Sequence, residues 1–278
     1  MAKKSKPAKI DFAMREKLLA DIQKYTLFHD TFMNVVLSDI KACQHVLRVI
    51  TGNTDLEIVE VEVQYSLKST STRNAILDVL AKDVNGCYYN IELQNSDTID
   101  HARRVRLYQS LFGASFTPRG ADFSDVPQLV SIYLSKTDFW KKGRTVYKVK
   151  SILEDTEVTY DDGCKTIFVN AAVNDGSDIA KLMKYFVTAD PNDDSQGELS
   201  KRVKYLKLDE GGQNEMCEIA KKYYTDGHKN GADEARFEIF SALVSKNGLP
   251  IEQALEMALV PSEDHARFVE MYNEAQQQ

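Results

Sequence analysis

Apolar and polar positions alternate along this chain with a period that changes several times. Residues 11–26 mix charged and apolar side chains at helical spacing. From His29 to Gly52, Val35, Val36, Ile40, Cys43, Val46, Leu47 and Ile50 fall on one broad stripe. That spacing predicts a helix, with Gly52 as its stop. The period then shortens to two in EIVEVEVQY (57–65), the pattern of a strand. A polar connection (66–73) leads into two more strand patterns, NAILDVLAK and CYYNIELQ. Residues 98–116 return to helical spacing, and PQLVSIYLS (127–135) is an apolar run of strand length, as expected of a strand buried on both faces. Residues 144–152 and 165–173 read as further strands. Residues 178–188 and 198–208 read as helices on either side of the turn-rich TADPNDDSQG. From about 213 onward the pattern is helical, with breaks expected at Gly227/Gly231, KNGLP (246–250) and VPS (260–262). The order is helix, three strands, helix, strand, further strands, helices. It predicts an α/β fold with a mixed sheet and an α-helical C-terminal part. The expected division is a tail and leading helix over 1–24, a core domain over 25–210 and a helical region over 211–278.

The hairpin around DVNG carries the chemistry. Asp favours the first position of a type I turn, and Gly suits the left-handed position after it, which together make a three-residue hairpin with a bulge. Asp83 then pairs with Cys87, Asp78 lands opposite Glu92, and Ile76 opposite Gln94. A two-residue loop would instead place Asp78 opposite Leu93. Opposed residues share a face, so Asp78, Glu92 and Gln94 are expected on one side, and Leu77, Val79, Ile91 and Leu93 on the other. Two carboxylates that close repel unless one is protonated or a cation lies between them. With carbonyl and water oxygens they make a hard-oxygen site suited to Mg²⁺ or Mn²⁺. The rival reading is a pair of solvated residues on an open sheet face; Ile76 and Leu80, on Asp78's face, argue for burial.

Composition narrows the classes. The chain has 278 residues, 43% hydrophobic and 28% charged, the range of ordinary globular proteins. A formal net charge of −7 argues against unspecific coating of nucleic acid or an anionic membrane, without excluding a local basic groove. Cys43, Cys87, Cys164 and Cys217 form no CxxC pair, which speaks against a disulfide framework or zinc site and for a reducing, cytoplasmic setting. The basic start, MAKKSKPAKI, lacks the apolar run of a secretory signal. No apolar stretch reaches the length of a membrane helix.

The ordered set of segments resembles the PD-(D/E)XK nuclease superfamily, and more narrowly the recombination-promoting nuclease / putative transposase family. The segments are Arg73 before the strand, LDVLAKD (77–83), Asn85-Gly86, YNIELQ (89–94), ARRVRLYQS (102–110), SIYLSKTDFWKKG (131–143), TIFVNAA (166–172) and TADPNDDSQGELSKRVKYLK (188–207). The resemblance implies a restriction-endonuclease-like core and a metal-dependent DNA endonuclease linked to mobile elements, recombination or defence. It implies Asp78 and Glu92 as metal-binding acids, the Leu93 carbonyl as a further ligand to Mg²⁺ or Mn²⁺, and Gln94 as the water-orienting residue where most of the superfamily has Lys. A neutral amide orients water but adds no positive charge. Arg73, Arg103, Arg104 and Tyr108 match positions often basic or aromatic near such a site and are the expected DNA contacts. Relatives often carry another Glu on the first helix; Gln44 stands in roughly that place here, a departure.

Rival readings stay beside this one. A nuclease fold with weak catalysis would act as a DNA- or protein-binding module. A regulator acting through the helical tail is a third class. Lys141-Lys142-Gly143-Arg144 and Lys201-Arg202-Val203-Lys204 read as a charged loop and a charged helix rather than DNA contacts. The five histidines have no mutual metal-ligand spacing, no HExxH, GxxxxGK[ST] or GxSxG occurs, and Trp140 is expected to pack at a strand end. FEIFSALVSKNGLPIEQALEMALVPSEDHARFVEMY (237–272) has a helix-turn-helix-like outline but few basic residues, which favours packing or homodimerisation; Gly227 and Gly231 would allow close helix approach.

Overall fold

The structure is a computed structural model that describes residues 12–67, 74–94, 101–154, 156, 158–245 and 247–276. Its chain divides into two compact units at Met216/Cys217.

The larger unit is built on a six-stranded mixed sheet. Strands β1 (Ile58–Leu67), β2 (Ala75–Asp83) and β3 (Tyr88–Gln94) form an antiparallel meander. Strands β4 (Leu129–Ser135) and β6 (Cys164–Asn170) continue it in parallel, and the short β5 (Val146–Lys148) closes the far edge antiparallel to β6. The order across the sheet is β1-β2-β3-β4-β6-β5. Every residue of β4 is buried, as its unbroken apolar run predicts. The strand expected over 144–152 is reduced to three residues. Beyond it the chain turns into a narrow ribbon through the bridge Ile152–Thr159.

Helix α1 (Phe12–Lys24) precedes a break in the long helix expected over 29–52. Two helices stand there, α2 (Asp30–Leu37) and α3 (Ile40–Thr51). The reason is local: the Asp39 carboxylate accepts the Ala42 N–H at 2.9 Å and starts a new helix. Gly52, at φ +76°, ends it as expected. Helices α2 and α3 pack against β1, and α5 (Asp178–Thr188) and α6 (Gly197–Leu208) stack on α3. Lys207 of α6 is 1% exposed and donates to the carbonyls of Gln23 (3.3 Å), Tyr25 (2.7 Å) and Ala189 (2.8 Å). One ammonium thereby caps the ends of α1 and α5, where carbonyls lack intrahelical donors.

Helix α4 (His101–Phe116) lies on the sheet face that carries Glu92. Val105 packs with Tyr133 and Phe168, and Gln109 Nε2 bonds Ser131 Oγ (3.3 Å) and Thr166 Oγ1 (3.1 Å). Leu111 and Phe112 join Leu67, Ala75, Leu77, Leu80 and Leu129 in a second core cluster. Leu77 and Leu80, three apart in one strand, belong to the same cluster. The β1–β2 register nevertheless runs one-to-one from Glu60–Lys82 to Leu67–Ala75.

Helix α7 (Glu210–Ser245), which belongs to the smaller unit from Cys217 on, runs unbroken across Gly227 and Gly231, so no break occurs there: two glycines lower helix propensity but do not stop a helix propagated from both sides. Helices α8 (Ile251–Met257) and α9 (His265–Gln276) follow the turns expected at KNGLP and VPS. Phe240, Ala254, Leu255, Ala258, Val260 and Phe268 form their core, and Arg267 pairs with the buried Asp233 at 2.6 Å. No helix among the described residues is long and apolar enough to cross a membrane.

Candidate active site

The site begins with the turn. Asp83 Oδ1 accepts the N–H groups of Asn85 and Cys87, both at 2.9 Å, and its Oδ2 accepts the Tyr89 hydroxyl at 3.1 Å. Gly86 sits at φ +82°, and its N–H donates to the Asp83 carbonyl at 3.0 Å. Val84–Gly86 is thus a three-residue loop, and Asp83 pairs with Cys87 through a 3.0 Å backbone bond. The register runs back from Lys82–Tyr88 to Val79–Ile91. One step further, Asp78 meets Glu92.

At that step side chains take over from the backbone ladder. The Leu93 N–H donates to Asp78 Oδ2 at 3.0 Å, and the Asp78 N–H donates to Glu92 Oε1 at 3.2 Å. Each carboxylate is held by the other strand, so the two are fixed close together. Asp78 is half-buried, Glu92 is 1% exposed and Gln94 3%. Leu80 shields the pair as expected, but Ile76 does not: it is 53% exposed, because β2 leaves the cover of β3 at its first residues.

Arg104 of α4 faces the pair. Its guanidinium donates to Gln94 Oε1 at 2.7 Å and to Glu92 Oε2 at 3.2 Å, and it lies 5.1 Å from the centre of the Tyr108 ring. Tyr108 therefore backs the arginine, one turn along the helix. Burial and the charge of Asp78 push the Glu92 carboxyl up to about 8, against the opposing pull of Arg104 and the Asp78 N–H. Asp78 is also raised, by burial first and by the charge of Asp30.

Arg103 is exposed on α4. Arg73 lies outside the described residues. Gln44 is not at the site: its Oε1 accepts the Ile58 N–H at 2.8 Å and pins the start of β1, so the position taken for a first-helix acid serves the sheet instead.

Three further groups surround the pair. Asp30, in the first turn of α2, contributes negative charge at Asp78; reading 29–52 as one helix hid it. Gln64 of β1 donates to Asp78 Oδ1 at 3.4 Å and sits at φ +55°, a strained position for a residue with a side chain. Nothing in the sequence marks that strain. Tyr133, set beside Glu92 by the parallel register of β3 and β4, is 1% exposed, and its hydroxyl has no hydrogen-bond partner among the described residues. Burial and Glu92's charge push that hydroxyl's pKa up.

The donors to any cation are oxygens alone, a hard set that fits Mg²⁺ or Mn²⁺ and not a thiolate-seeking metal. Among the described residues no group of three or more His, Cys, Asp or Glu side chains could hold an ion, so the two carboxylates would need backbone or water oxygens beside them.

No curated protein and no solved structure matches the chain. A family model does, over residues 39–207, more than half of the chain, from α3 to the last turn of α6 and including every group described above except Asp30. With the meander that presents Asp78 to Glu92, the parallel strands beside it and α4 laid across them, this chain belongs to the PD-(D/E)XK nuclease family transposases.

Proposed function

We propose that the protein hydrolyses phosphodiester bonds of DNA as a metal-dependent endonuclease centred on Asp78 and Glu92. Family membership implies a nuclease linked to mobile elements, DNA as a partner and the use of divalent metals. The observation that carries the reading is the carboxylate pair. Two acids held together by each other's backbone, one of them fully buried, form an unfavourable arrangement for folding alone.

Asp78 and Glu92, with the Leu93 carbonyl, would hold Mg²⁺ or Mn²⁺. Such an ion supplies a water of lowered pKa and polarises a phosphoryl oxygen. Gln94 would orient the attacking water through its amide. Arg104, now bonded to both Glu92 and Gln94, would steady the amide and turn its free donors to the scissile phosphate. Arg103 and Arg73 would grip flanking phosphates. Exposed Ile239, Met257 and Leu259 in the C-terminal unit support a second copy docking there.

The second reading, a binding module with weak catalysis, draws on the same arginine: Arg104 reaches Glu92 at 3.2 Å and would compete with a cation for it. Cleavage of supercoiled and linear DNA with Mg²⁺, Mn²⁺ or EDTA, beside Asp78→Ala and Glu92→Ala, separates the two. Metal-dependent cutting lost in both variants supports the endonuclease. Persistent cutting in both excludes this site, and DNA binding without cutting by the wild type supports the module.

A further inference from the structure

A groove of about 750 Å³ lies along the far edge of the sheet, bordered by α4, by the residues after β5 and by the ribbon. Its volume is in the range of a ligand site, and its lining is neither plain core nor plain surface. Arg106, Lys148, Lys150 and Lys165 all reach it from exposed positions, and among the described residues no ion pair engages them. Between them stand Trp140, 42% exposed, and Tyr160, 55% exposed. Trp140 is held edge-on against Phe168 with ring centres 5.5 Å apart, so one side is anchored and the rest is open. The expectation that it simply packs at a strand end is therefore half right. Asp161 and Asp162 also line the groove, but their carboxylates cap the Gly163 and Cys164 N–H groups, and the cations still outnumber them.

The other basic stretches differ. Lys201, Arg202 and Lys204 pair with Glu198, Glu215 and Asp194, and in the 141–144 loop it is the backbone N–H groups of Lys141 and Gly143 that hold the Asp138 carboxylate. In the groove, cations with no ion pair among the described residues alternate with open aromatic faces. Cations track phosphates and open rings stack on bases, and only an unpaired strand offers both, since a duplex keeps its base faces inside its own stack.

Helix α4 connects the groove to the carboxylates. Arg104 and Arg106 are two residues apart, about 200° around the helix, so Arg104 turns to Glu92 while Arg106 turns to the groove. Val105 between them packs on Tyr133 and Phe168, which divide the two sites.

We propose that this groove binds unpaired single-stranded DNA, with Trp140 and Tyr160 as stacking surfaces and Arg106, Lys148, Lys150 and Lys165 on its phosphates. It takes DNA as the polymer from the nuclease reading, but its geometry is separate from the carboxylates. Trp140 is the chain's single tryptophan, so its emission reports the groove alone. Titrating the full chain with oligothymidylate in EDTA is expected to quench that emission. An equal length of duplex should compete at least ten-fold less well. Neutralising about four phosphates would weaken binding roughly fifty-fold between about 50 and 200 mM salt. Lys148→Glu/Lys150→Glu, two exposed changes that leave Trp140 in place, should lose at least ten-fold in affinity. Trp140→Ala, followed by anisotropy of a labelled oligonucleotide, should also lose roughly ten-fold. Asp78→Asn should keep the quenching whether or not cleavage is lost, so failure of the nuclease reading leaves this test intact. Absent quenching, equal competition by duplex, tighter binding of oligouridylate, or full affinity in the double-Glu variant would each overturn the proposal.

Discussion

Glu92→Gln is expected to stabilise this protein while disabling it. The substitution keeps the size of the side chain and the acceptor for the Asp78 N–H, but removes one charge from the buried pair. Glu92 titrates at about 8 in the fold, against 4.5 for an unperturbed glutamate. Below pH 4.5 the carboxyl is protonated in both folded and unfolded chains, so titration contributes nothing to the difference there. Between 4.5 and 8 the folded state holds a proton that the unfolded state has released, so wild-type stability falls as pH rises. By pH 7 the loss is about 3 kcal/mol at 1.36 kcal/mol per pH unit. The new amide turns an N–H₂ toward the Arg104 guanidinium, a donor–donor contact that costs about 1–2 kcal/mol. The variant should therefore be about 1–2 kcal/mol more stable at pH 7 in EDTA, and the difference from wild type should grow by about 4 kcal/mol from pH 4.5 to 8. Urea unfolding across that range measures both. Adding Mg²⁺ should raise the wild-type midpoint and leave the variant's unchanged, because mass action stabilises only a chain that holds the ion. A variant less stable than wild type at every pH, or stabilised equally by Mg²⁺, would refute the strained, metal-seeking pair.

Other perturbations test the parts around it. Asp83→Ala removes acceptors from Asn85, Cys87 and Tyr89 and should cost about 2–3 kcal/mol in urea unfolding; a loss under about 0.5 kcal/mol would mean that the register does not depend on this turn. Tyr133→Phe deletes a buried hydroxyl with no partner among the described residues and should raise stability by about 1 kcal/mol, whereas a loss of stability would show that the hydroxyl is bonded. Lys207→Met strips donors from three helix-end carbonyls and should cost about 3 kcal/mol or more, seen as a fall in Tm; an unchanged Tm would mean that water replaces the ammonium.

What the sequence by itself determined lies close together along the chain. The change of period from helix to strand predicts the α/β order. The DVNG turn, through Asp83 and Gly86, sets a register that places Asp78 opposite Glu92, because turn geometry depends on neighbouring residues. The break at Asp39 is local too, but the continuous apolar stripe over 29–52 predicts one helix and hides it. Other features depended on distant segments. Of Arg103, Arg104 and Arg106, only the docking angle of α4 decides that Arg104 turns inward to Glu92. The parallel register of β4, set across a long crossover, puts Tyr133 beside Glu92. The charge of Asp30, the strain at Gln64 and the groove around Trp140 likewise arise from segments far apart in sequence, whose meeting is governed by packing rather than by local spacing.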